Sequence, residues 1–227
     1  MNPYSFVRLG PAAQRVAATR HNQFQGLSGR LHCRLTALTH LFIPETQEMI
    51  KVKHQQLSLL RSGDDLPQLP GSSLKGVIRS VAEAISGSCL TLPLGKGGEI
   101  EYRGRPPVTY RIPRGFEHCR DADHLCPACR IFGFMSGGNP FLGKIGLGDA
   151  LALAPFEIET MTIEALMEPK PRHRVWYDDP QQQGFLRGRK FYYHRPLGPR
   201  RTTVKNEYNK TIEAVKPGAV FEFEVDY

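Results

Sequence analysis

The stretch PGSSLKGVIRSVAEAI, residues 70–85, constrains the fold most, because a sharp turn signal runs directly into an amphipathic helix. Its apolar residues recur at helical spacing and form one stripe, made of Leu74, Val77, Ile78, Val81, Ala82 and Ile85. Gly87 supplies a stop signal after the last of them. We therefore predict a helix that covers one face of a sheet.

The start of this helix is open to three interpretations. Small, hydroxyl and cationic side chains meet there: Gly71, Ser72, Ser73, Lys75 and Arg79. Free amides and the helix dipole favour an anion at such an end, and Lys75 and Arg79 lie one turn apart, so a phosphate site is one interpretation. An ordinary capped core helix with solvated cations is the second. The third is an acyl-enzyme nucleophile at Ser72-x-x-Lys75, which is disfavoured because the sequence lacks the Ser-Asp-Asn and Lys-Thr-Gly partners.

Two strands flank the helix in the sequence. SGRLHCRLTALTHLFI, residues 28–43, alternates apolar Leu31, Cys33 and Leu35 with a wet face that carries Arg30 and Arg34. AVFEFEVDY, residues 219–227, alternates in the same way and predicts a strand with one dry face. The order of elements predicts an α+β fold with an antiparallel, ferredoxin-like (RRM-like) sheet and helices on one face.

The charge balance favours a polyanionic partner. The 227 residues contain 30 Lys and Arg against 22 Asp and Glu, and residues 1–44 have five arginines and no acid. Residues 1–26 are polar and basic, and we predict an arm there that orders on a partner or forms a loop-rich edge. No apolar run has the length of a membrane span, so we expect a soluble, cytoplasmic protein without a membrane partner.

Cysteines cluster in EHCRDADHLCPACRIFG, residues 117–133. The Cys126-x-x-Cys129 knuckle and Cys119 provide three thiolates for a structural zinc ion, and we assign the fourth position to His118, with His124 or Cys89 as alternatives. Such a closed site would stabilise the loop and leave no position for catalysis. Buried free thiols and a redox pair are the competing interpretations.

A basic and aromatic segment comes next, GFLRGRKFYYHRPLGPRR, residues 184–201. Arginine and lysine neutralise phosphates, and aromatic rings stack on unpaired bases. The mixture favours single-stranded nucleic acid, although some of these rings are expected to pack a strand.

Together these motifs resemble the RAMP superfamily of CRISPR-associated proteins, specifically the backbone subunits of type III effector complexes. The resemblance covers residues 27–227 and is carried by the first strand and by LPGSSLKGVIRS, CPACRIFG, GKIGLGDA and TIEAVKPGAVFEFEV. It implies one RAMP-type domain over 27–227, with a zinc-stapled insertion at 87–135 and a thumb hairpin within 170–208.

The resemblance also implies a function: the chain would bind guide RNA in a ribonucleoprotein for antiviral defence. Complementary target RNA and neighbouring effector subunits, packed side by side, would be its partners. The residues expected at the RNA are Gly71, Ser72, Ser73, Lys75, Arg79, Arg187, Arg189, Lys190 and Tyr193.

Two departures from the family matter. Members that cut target RNA carry an aspartate about fifteen residues before the Pro-Gly-Ser-Ser turn, whereas KHQQLSLL, residues 53–60, has no acid. Asp64 and Asp65 are the nearest candidates, so we expect no cleavage, with an endoribonuclease as the alternative and a zinc-stabilised protein-interaction module without RNA as a second one. Relatives also continue past the last strand, so we expect either that a neighbouring polypeptide supplies the elements that those relatives have beyond the position of Tyr227, or that this is a split or trimmed domain.

Overall fold

The structure is a computed structural model that describes residues 4–45, 53–90, 99–100, 108–109, 111–135, 140–165, 174–193 and 200–227. It is a mixed α/β fold in which antiparallel strand pairs dominate. The strands are β1 (Tyr4–Val7), β2 (Arg30–Thr36), β3 (Gln55–Leu57), β4 (Gln68–Leu69), β5 (Glu99–Ile100), β6 (Val108–Thr109), β7 (Gly133–Phe134), β8 (Phe141–Leu142), β9 (Gly146–Leu147), β10 (Ala150–Leu153), β11 (Ile158–Ile163), β12 (Arg189–Tyr192), β13 (Lys210–Val215) and β14 (Val220–Asp226). The helices are α1 (Gly71–Ile85), α2 (Pro127–Phe132) and α3 (Arg174–Tyr177).

The chain divides into two units that interleave along the sequence. The sheet unit comprises Ser28–Lys75, Gly146–Met167 and His194–Tyr227, and the cysteine unit comprises Met1–Leu27, Gly76–Ile145 and Glu168–Tyr193. Helix α1 begins in the first and continues in the second.

The main sheet of the sheet unit has the order β2-β14-β10-β4, with β9 also paired to β14, and all of these pairs are antiparallel. Leu35 of β2 lies opposite Phe221 of β14, which is fully buried. The inner face of β2 and the apolar face of β14 thus pack one core, which also contains Ala37 and Leu69. Both strands predicted from alternation are present, but β2 covers only Arg30–Thr36 of the predicted residues 28–43.

A second sheet of the same unit has the order β11-β13-β3. Strand β13 pairs antiparallel with β11 and parallel with β3. Met161, Ile212 and Ala214 form the buried cluster on these strands.

The cysteine unit is built from short strand pairs around a thiol-rich core. Strand β1 pairs with β12, β5 with β6, and β7 with β8, all antiparallel. The β5–β6 pair lies within the predicted insertion at 87–135, and residues 101–107 between the strands lie outside the described residues. Residues 170–173 and 194–199 of the predicted thumb also lie outside them.

The predicted basic arm belongs to the cysteine unit and pairs with other segments of it. Strand β1 lies in this segment, and Val16 exchanges backbone hydrogen bonds of 3.1 and 2.9 Å with Leu125. Arg15 donates a 3.1 Å hydrogen bond to the carbonyl of Gly115. The division of the chain at residue 27 remains a prediction.

The predicted helix is confirmed as α1, but the face that it buries is a different one. The apolar stripe is exposed at Val77 (66%) and Ile85 (82%), whereas the side chain of Glu83 is buried. Glu83 lies inside because two arginines pair with it there, and Leu74 still packs against the core of the sheet unit.

Among the described residues, α1 is the only helix longer than six residues, so the second core helix of a ferredoxin-like fold remains a prediction. No helix in the described part of the chain is long and apolar enough to cross a membrane.

Candidate metal centre and helix terminus

The start of α1 is held by a carboxylate from a distant part of the sequence. The Gly71 amide donates a 2.7 Å hydrogen bond to Asp149 Oδ1, and Gln68 Nε2 donates a 2.5 Å bond to Asp149 Oδ2. The amides of Ser73 and Leu74 donate to the Pro70 carbonyl at 2.9 and 3.1 Å. The Pro-Gly-Ser-Ser turn and the GKIGLGDA motif therefore form one structural feature in which Asp149 caps the helix.

Glycine is required at position 71 by close packing. A Cβ atom there would lie 2.2 Å from the Leu147 carbonyl oxygen and 2.8 Å from that of Gly148. Because both obstacles are backbone atoms, neither can rotate away. This contact explains why the turn has glycine before its two serines.

The predicted phosphate contacts at this end differ in accessibility. Ser72 and Ser73 are exposed, and Lys75 is half-buried. The Asp149 carboxylate already accepts from the Gly71 amide and already lies at the positive end of the helix dipole. An anion at this terminus would therefore be bound by the two serines and Lys75 rather than by the Gly71 amide.

Arg79 and Arg189, both expected at the RNA, flank one buried carboxylate. Arg79 Nε donates to Glu83 Oε1 at 2.8 Å, and Arg189 Nη1 donates to Glu83 Oε2 at 2.9 Å. The side chains of Arg79, Glu83 and Arg189 are 21%, 7% and 10% exposed. We call these three residues the Arg-Glu-Arg triad.

The remaining donors of the triad bind nearby backbone and sulfur atoms. Arg79 Nη1 donates to the Gly133 carbonyl at 2.8 Å, and Nη2 lies 3.6 Å from Cys129 Sγ. Burial lowers the pKa of Arg79, but the hydrogen bond and the charge of Glu83 outweigh it and hold that pKa above its ordinary value. The cation is therefore fixed in the interior of the cysteine unit.

Four buried cysteines come together beside the triad. The sulfurs of Cys89, Cys119, Cys126 and Cys129 all lie within 4.8 Å of one another. Cys89 Sγ is 3.5 Å from Cys129 Sγ and 3.6 Å from Cys126 Sγ. These four cysteines could hold a metal ion.

Helix α2 positions two of the thiols. Cys126 is its N-cap residue, and its amide donates to Cys119 Sγ at 3.3 Å. Cys129 lies in its first turn, and the Ala128 amide donates to the Ser88 hydroxyl at 3.1 Å, next to Cys89. The helix ends at Phe132, and its C-cap residue Gly133 has a φ of 84°.

The geometry and chemistry fit a tetrahedral thiolate site. A zinc ion with Zn–S bonds of about 2.3 Å holds its sulfurs roughly 3.8 Å apart, close to the separations observed. Within the described ranges the group contains neither His118 nor His124. The assignment of the fourth position to His118 is therefore corrected to Cys89, because both histidines lie outside the cluster and the chain brings Cys89 into it.

Hydrogen bonds among the four thiols shift their pKa values in different directions. Hydrogen bonds with Cys119, Cys129 and Cys89 lower the pKa of Cys126, and hydrogen bonds with Cys119 and Cys126 raise that of Cys89. The bond with Cys126 raises the pKa of Cys119, but those with Cys129 and Cys89 bring it down to about 7. A metal ion would displace the remaining protons, because thiolates are the ligands.

The predicted thumb residues are partly engaged with one another. Lys190 Nζ lies 4.1 Å from the ring centroid of Tyr4 and 4.8 Å from that of Tyr192, and it donates to the Tyr177 hydroxyl at 3.3 Å. Tyr193 is 57% exposed, and Arg187 is half-buried. This part of the cysteine unit presents an exposed aromatic surface around a cation.

The two candidate catalytic acids lie in a tight turn of the sheet unit. Asp65 has a φ of 60° and pairs with Arg61 at 3.4 Å, and its side chain is 85% exposed. Asp64 precedes it and is exposed as well. Among the described residues neither belongs to a cluster that could hold a metal ion.

The basic outer face of β2 is paired with acids of β14. Arg30 Nε donates to Asp226 Oδ1 at 2.6 Å, and Arg34 Nη2 donates to Glu222 Oε1 at 2.5 Å. His32 Nδ1 lies 3.2 Å from Glu224 Oε1. Antiparallel register places each cation opposite a carboxylate, so the face predicted to be basic is a charge ladder.

Comparison with known proteins identifies the family. The sequence profile of the RAMP superfamily matches residues 34–227, and the chain belongs to that superfamily. A comparison with curated protein sequences finds no match.

Solved structures show a weaker likeness. A chain of a type III-B Cmr-beta complex bound to cognate target RNA matches at 16% identity with a TM-score of 0.40, and the match covers 87% of this chain and 46% of that one. A chain of a type IV-B CRISPR complex matches at 18% identity with a TM-score of 0.40, covering 86% of this chain and 72% of that one. The chain thus spans about half the length of the first of these proteins.

Three residues of the site have no role in the sequence-based prediction. Asp149 enters it only as part of the GKIGLGDA motif and Glu83 only as part of the predicted helix, and Ser88 is not named. Glu83 carries one usable signal, its spacing of four residues from Arg79.

Proposed function

We propose that the chain binds guide RNA as a backbone subunit of a type III CRISPR ribonucleoprotein. Membership in the RAMP superfamily across residues 34–227 is the observation that carries this proposal. In it, a ferredoxin-like core packs beside other effector subunits in the cytoplasm, and base pairing between guide and target RNA supplies sequence specificity.

Two surfaces provide the RNA contacts. At the start of α1, Ser72, Ser73 and Lys75 bind backbone phosphates next to Gly71. In the cysteine unit, Tyr193 stacks on unpaired bases, which contributes about 1–3 kcal/mol per base. The accessibility of the two serines and of Tyr193 supports these roles.

In this proposal, some cations of the cysteine unit bind RNA and others lie in the protein interior. Arg187 and Lys190 bind phosphates beside the stacked bases. Arg79 and Arg189 are assigned to the interior of the subunit, because Glu83 and backbone carbonyls occupy their guanidinium groups.

The four cysteines hold one structural zinc ion in this proposal. The separations of 3.5 and 3.6 Å between sulfurs support it, as does the absence of any other ligand type from the cluster in the described residues. Zinc would supply folding energy to the loop that carries Cys119, Cys126 and Cys129.

Absorbance provides the first test. The complex purified with this subunit is expected to contain RNA, with an absorbance ratio at 260 and 280 nm well above that of protein alone. An assembly free of nucleic acid would overturn the proposal and favour a protein-interaction module.

A matched pair of lysine variants tests the phosphate contact. Lys75→Gln is expected to weaken guide-RNA binding. In a plot of log affinity against log salt concentration, the magnitude of the slope should fall by about the amount that one phosphate contact contributes. Lys216→Gln removes an equal charge from a surface pair with Glu157 and should leave the slope unchanged. Equal slopes for Lys75→Gln and wild type would refute a phosphate contact at Lys75.

A further inference from the structure

The Arg-Glu-Arg triad joins the two chain segments that carry the thiols. Arg189 Nη2 donates to the carbonyls of Ser88 and Cys89 at 2.5 and 3.0 Å, so it holds the segment that provides the first ligand. Arg79 binds the Gly133 carbonyl at the end of α2 and Cys129 Sγ within it. Glu83 accepts from both arginines and keeps them in register.

The charge of the Arg-Glu-Arg triad gives it a role at the metal centre in addition to packing. A divalent cation with four thiolates carries a net charge of about −2, and such a charge in a protein interior is costly unless cations or hydrogen bonds offset it. The triad carries one net positive charge, two arginines against one glutamate. Its Arg79 end makes a direct contact with a ligand sulfur.

We propose that Arg79 is a positioning residue of the metal centre, which offsets the negative charge of the thiolates through Cys129 while Glu83 and Arg189 hold it in place. This inference rests on the metal-holding role proposed for the four cysteines and is independent of RNA binding. Metal ligands are commonly oriented by partners in an outer shell, whose loss lowers metal affinity about 10–100-fold.

The proposal also links metal occupancy to helix α1. Arg79 and Glu83 belong to the part of α1 that lies in the cysteine unit, and Ser88 and Cys89 come soon after the end of that helix. Loss of the metal would leave Arg79 without the thiolate charge that it offsets. The backbone amides in the second half of α1 should then be less protected against hydrogen exchange than in the metal-loaded protein.

An isolated buried ion pair would behave differently. It would stabilise the fold to the same extent with and without metal, and its removal would leave the electronic environment of the sulfurs unchanged. Metal affinity and thiolate spectra therefore separate the two roles.

The experiment compares Arg79→Met with Arg130→Met. Met keeps an apolar stem and removes the charge, and Arg130 is an exposed arginine next to Cys129 on the same short helix. Zinc affinity is measured by competition with a colorimetric chelator, and the thiolate-to-metal absorption band is recorded with Co²⁺ in place of zinc. We expect a loss of affinity of about 10–100-fold and a shifted band for Arg79→Met, with neither effect for Arg130→Met.

Wild-type zinc affinity and an unshifted Co²⁺ band in a folded Arg79→Met variant would overturn the inference while leaving the metal centre intact. A wild-type chain that binds no zinc or Co²⁺ would overturn the metal centre itself, whatever the outcome for RNA. If Arg79→Met does not fold, Arg79→Gln takes its place. Its amide can still donate a hydrogen bond but carries no positive charge, so the zinc affinity of this variant should still fall, and an unchanged affinity would again refute the proposal.

Discussion

The backbone amide of Gly71 donates a 2.7 Å hydrogen bond to Asp149 Oδ1, across a sequence separation of 78 residues. This bond joins the turn before α1 to the loop before β10, and close contact with the Leu147 and Gly148 carbonyls reinforces the junction. The two motifs are therefore one packing unit, and the geometry of the helix terminus depends on both.

Gly71→Ala should disrupt this junction. The added Cβ would meet the Leu147 carbonyl oxygen at 2.2 Å, so we expect a loss of about 1–3 kcal/mol in the free energy of unfolding, measured by chemical denaturation. Gly76→Ala is the control, because a Cβ there meets nothing within 4 Å and alanine should stabilise the helix by about 0.5–1 kcal/mol. Equal effects from the two substitutions would contradict this packing at Gly71.

The fourth metal ligand can be identified by substitution. Cys89→Ser should lower the zinc content of the purified protein well below one ion per chain, because only three thiolates remain. His118→Ala should keep the full content, as should Cys33→Ser, which removes the one cysteine outside the cluster. Loss of zinc in His118→Ala with retention in Cys89→Ser would restore the histidine as the ligand.

Glu159 should make stability depend on acid pH. A hydrogen bond from Arg201 and another from His40 lower the pKa of this carboxyl from 4.5 to about 2 in the folded protein. Its ionised form stabilises the fold fully above about pH 4.5, and that contribution is lost as the pH falls through about 2. Unfolding followed by circular dichroism between pH 5 and pH 2 should show this decline.

Arg201→Gln should reduce the loss of stability between pH 5 and pH 2, because it removes the main donor to Glu159. Arg200→Gln loses a neighbouring charge without touching that carboxyl and serves as the control. If stability falls equally steeply with decreasing pH in Arg201→Gln and wild type, the contact with Arg201 does not set the pKa of Glu159.

We keep the expectation that Asp64 and Asp65 have no catalytic role. Both occupy an exposed turn, and residues 53–60, where the family's aspartate would lie, contain no acid. The assembled complex should leave labelled complementary RNA uncut at this subunit, and Asp64→Asn and Asp65→Asn should produce an identical gel pattern. Regular cleavage that disappears in either variant would establish the endoribonuclease instead.

Local periodicity is sufficient to predict α1, β2 and β14. Alternation in β2 and β14 reflects one inward face, and the full burial of Phe221 and partial burial of Leu35 on that face are its direct consequence. The grouping of Cys119, Cys126 and Cys129 is also predictable, because Cys126 caps the short helix that contains Cys129 and Cys119 is only seven residues before Cys126.

Long-range contacts are not predictable from the same patterns. The apolar stripe of α1 indicates one buried face, but the Arg-Glu-Arg triad buries Glu83 instead, and that requires Arg189 from more than a hundred residues away. Cys89 reaches the cluster in the same manner, from 37 residues before Cys126. Single-sequence periodicity contains no information about such partners.

The charge ladder between β2 and β14 limits where a nucleic acid can approach the sheet unit. With His32 neutral, the ladder has two positive charges, from Arg30 and Arg34, and three negative ones from β14. A phosphate chain laid along this face would be repelled by the excess carboxylate, although the protein as a whole has a net charge of +8. A polyanion that crosses this subunit is therefore directed away from β2, although the sequence of that strand alternates cations with apolar residues.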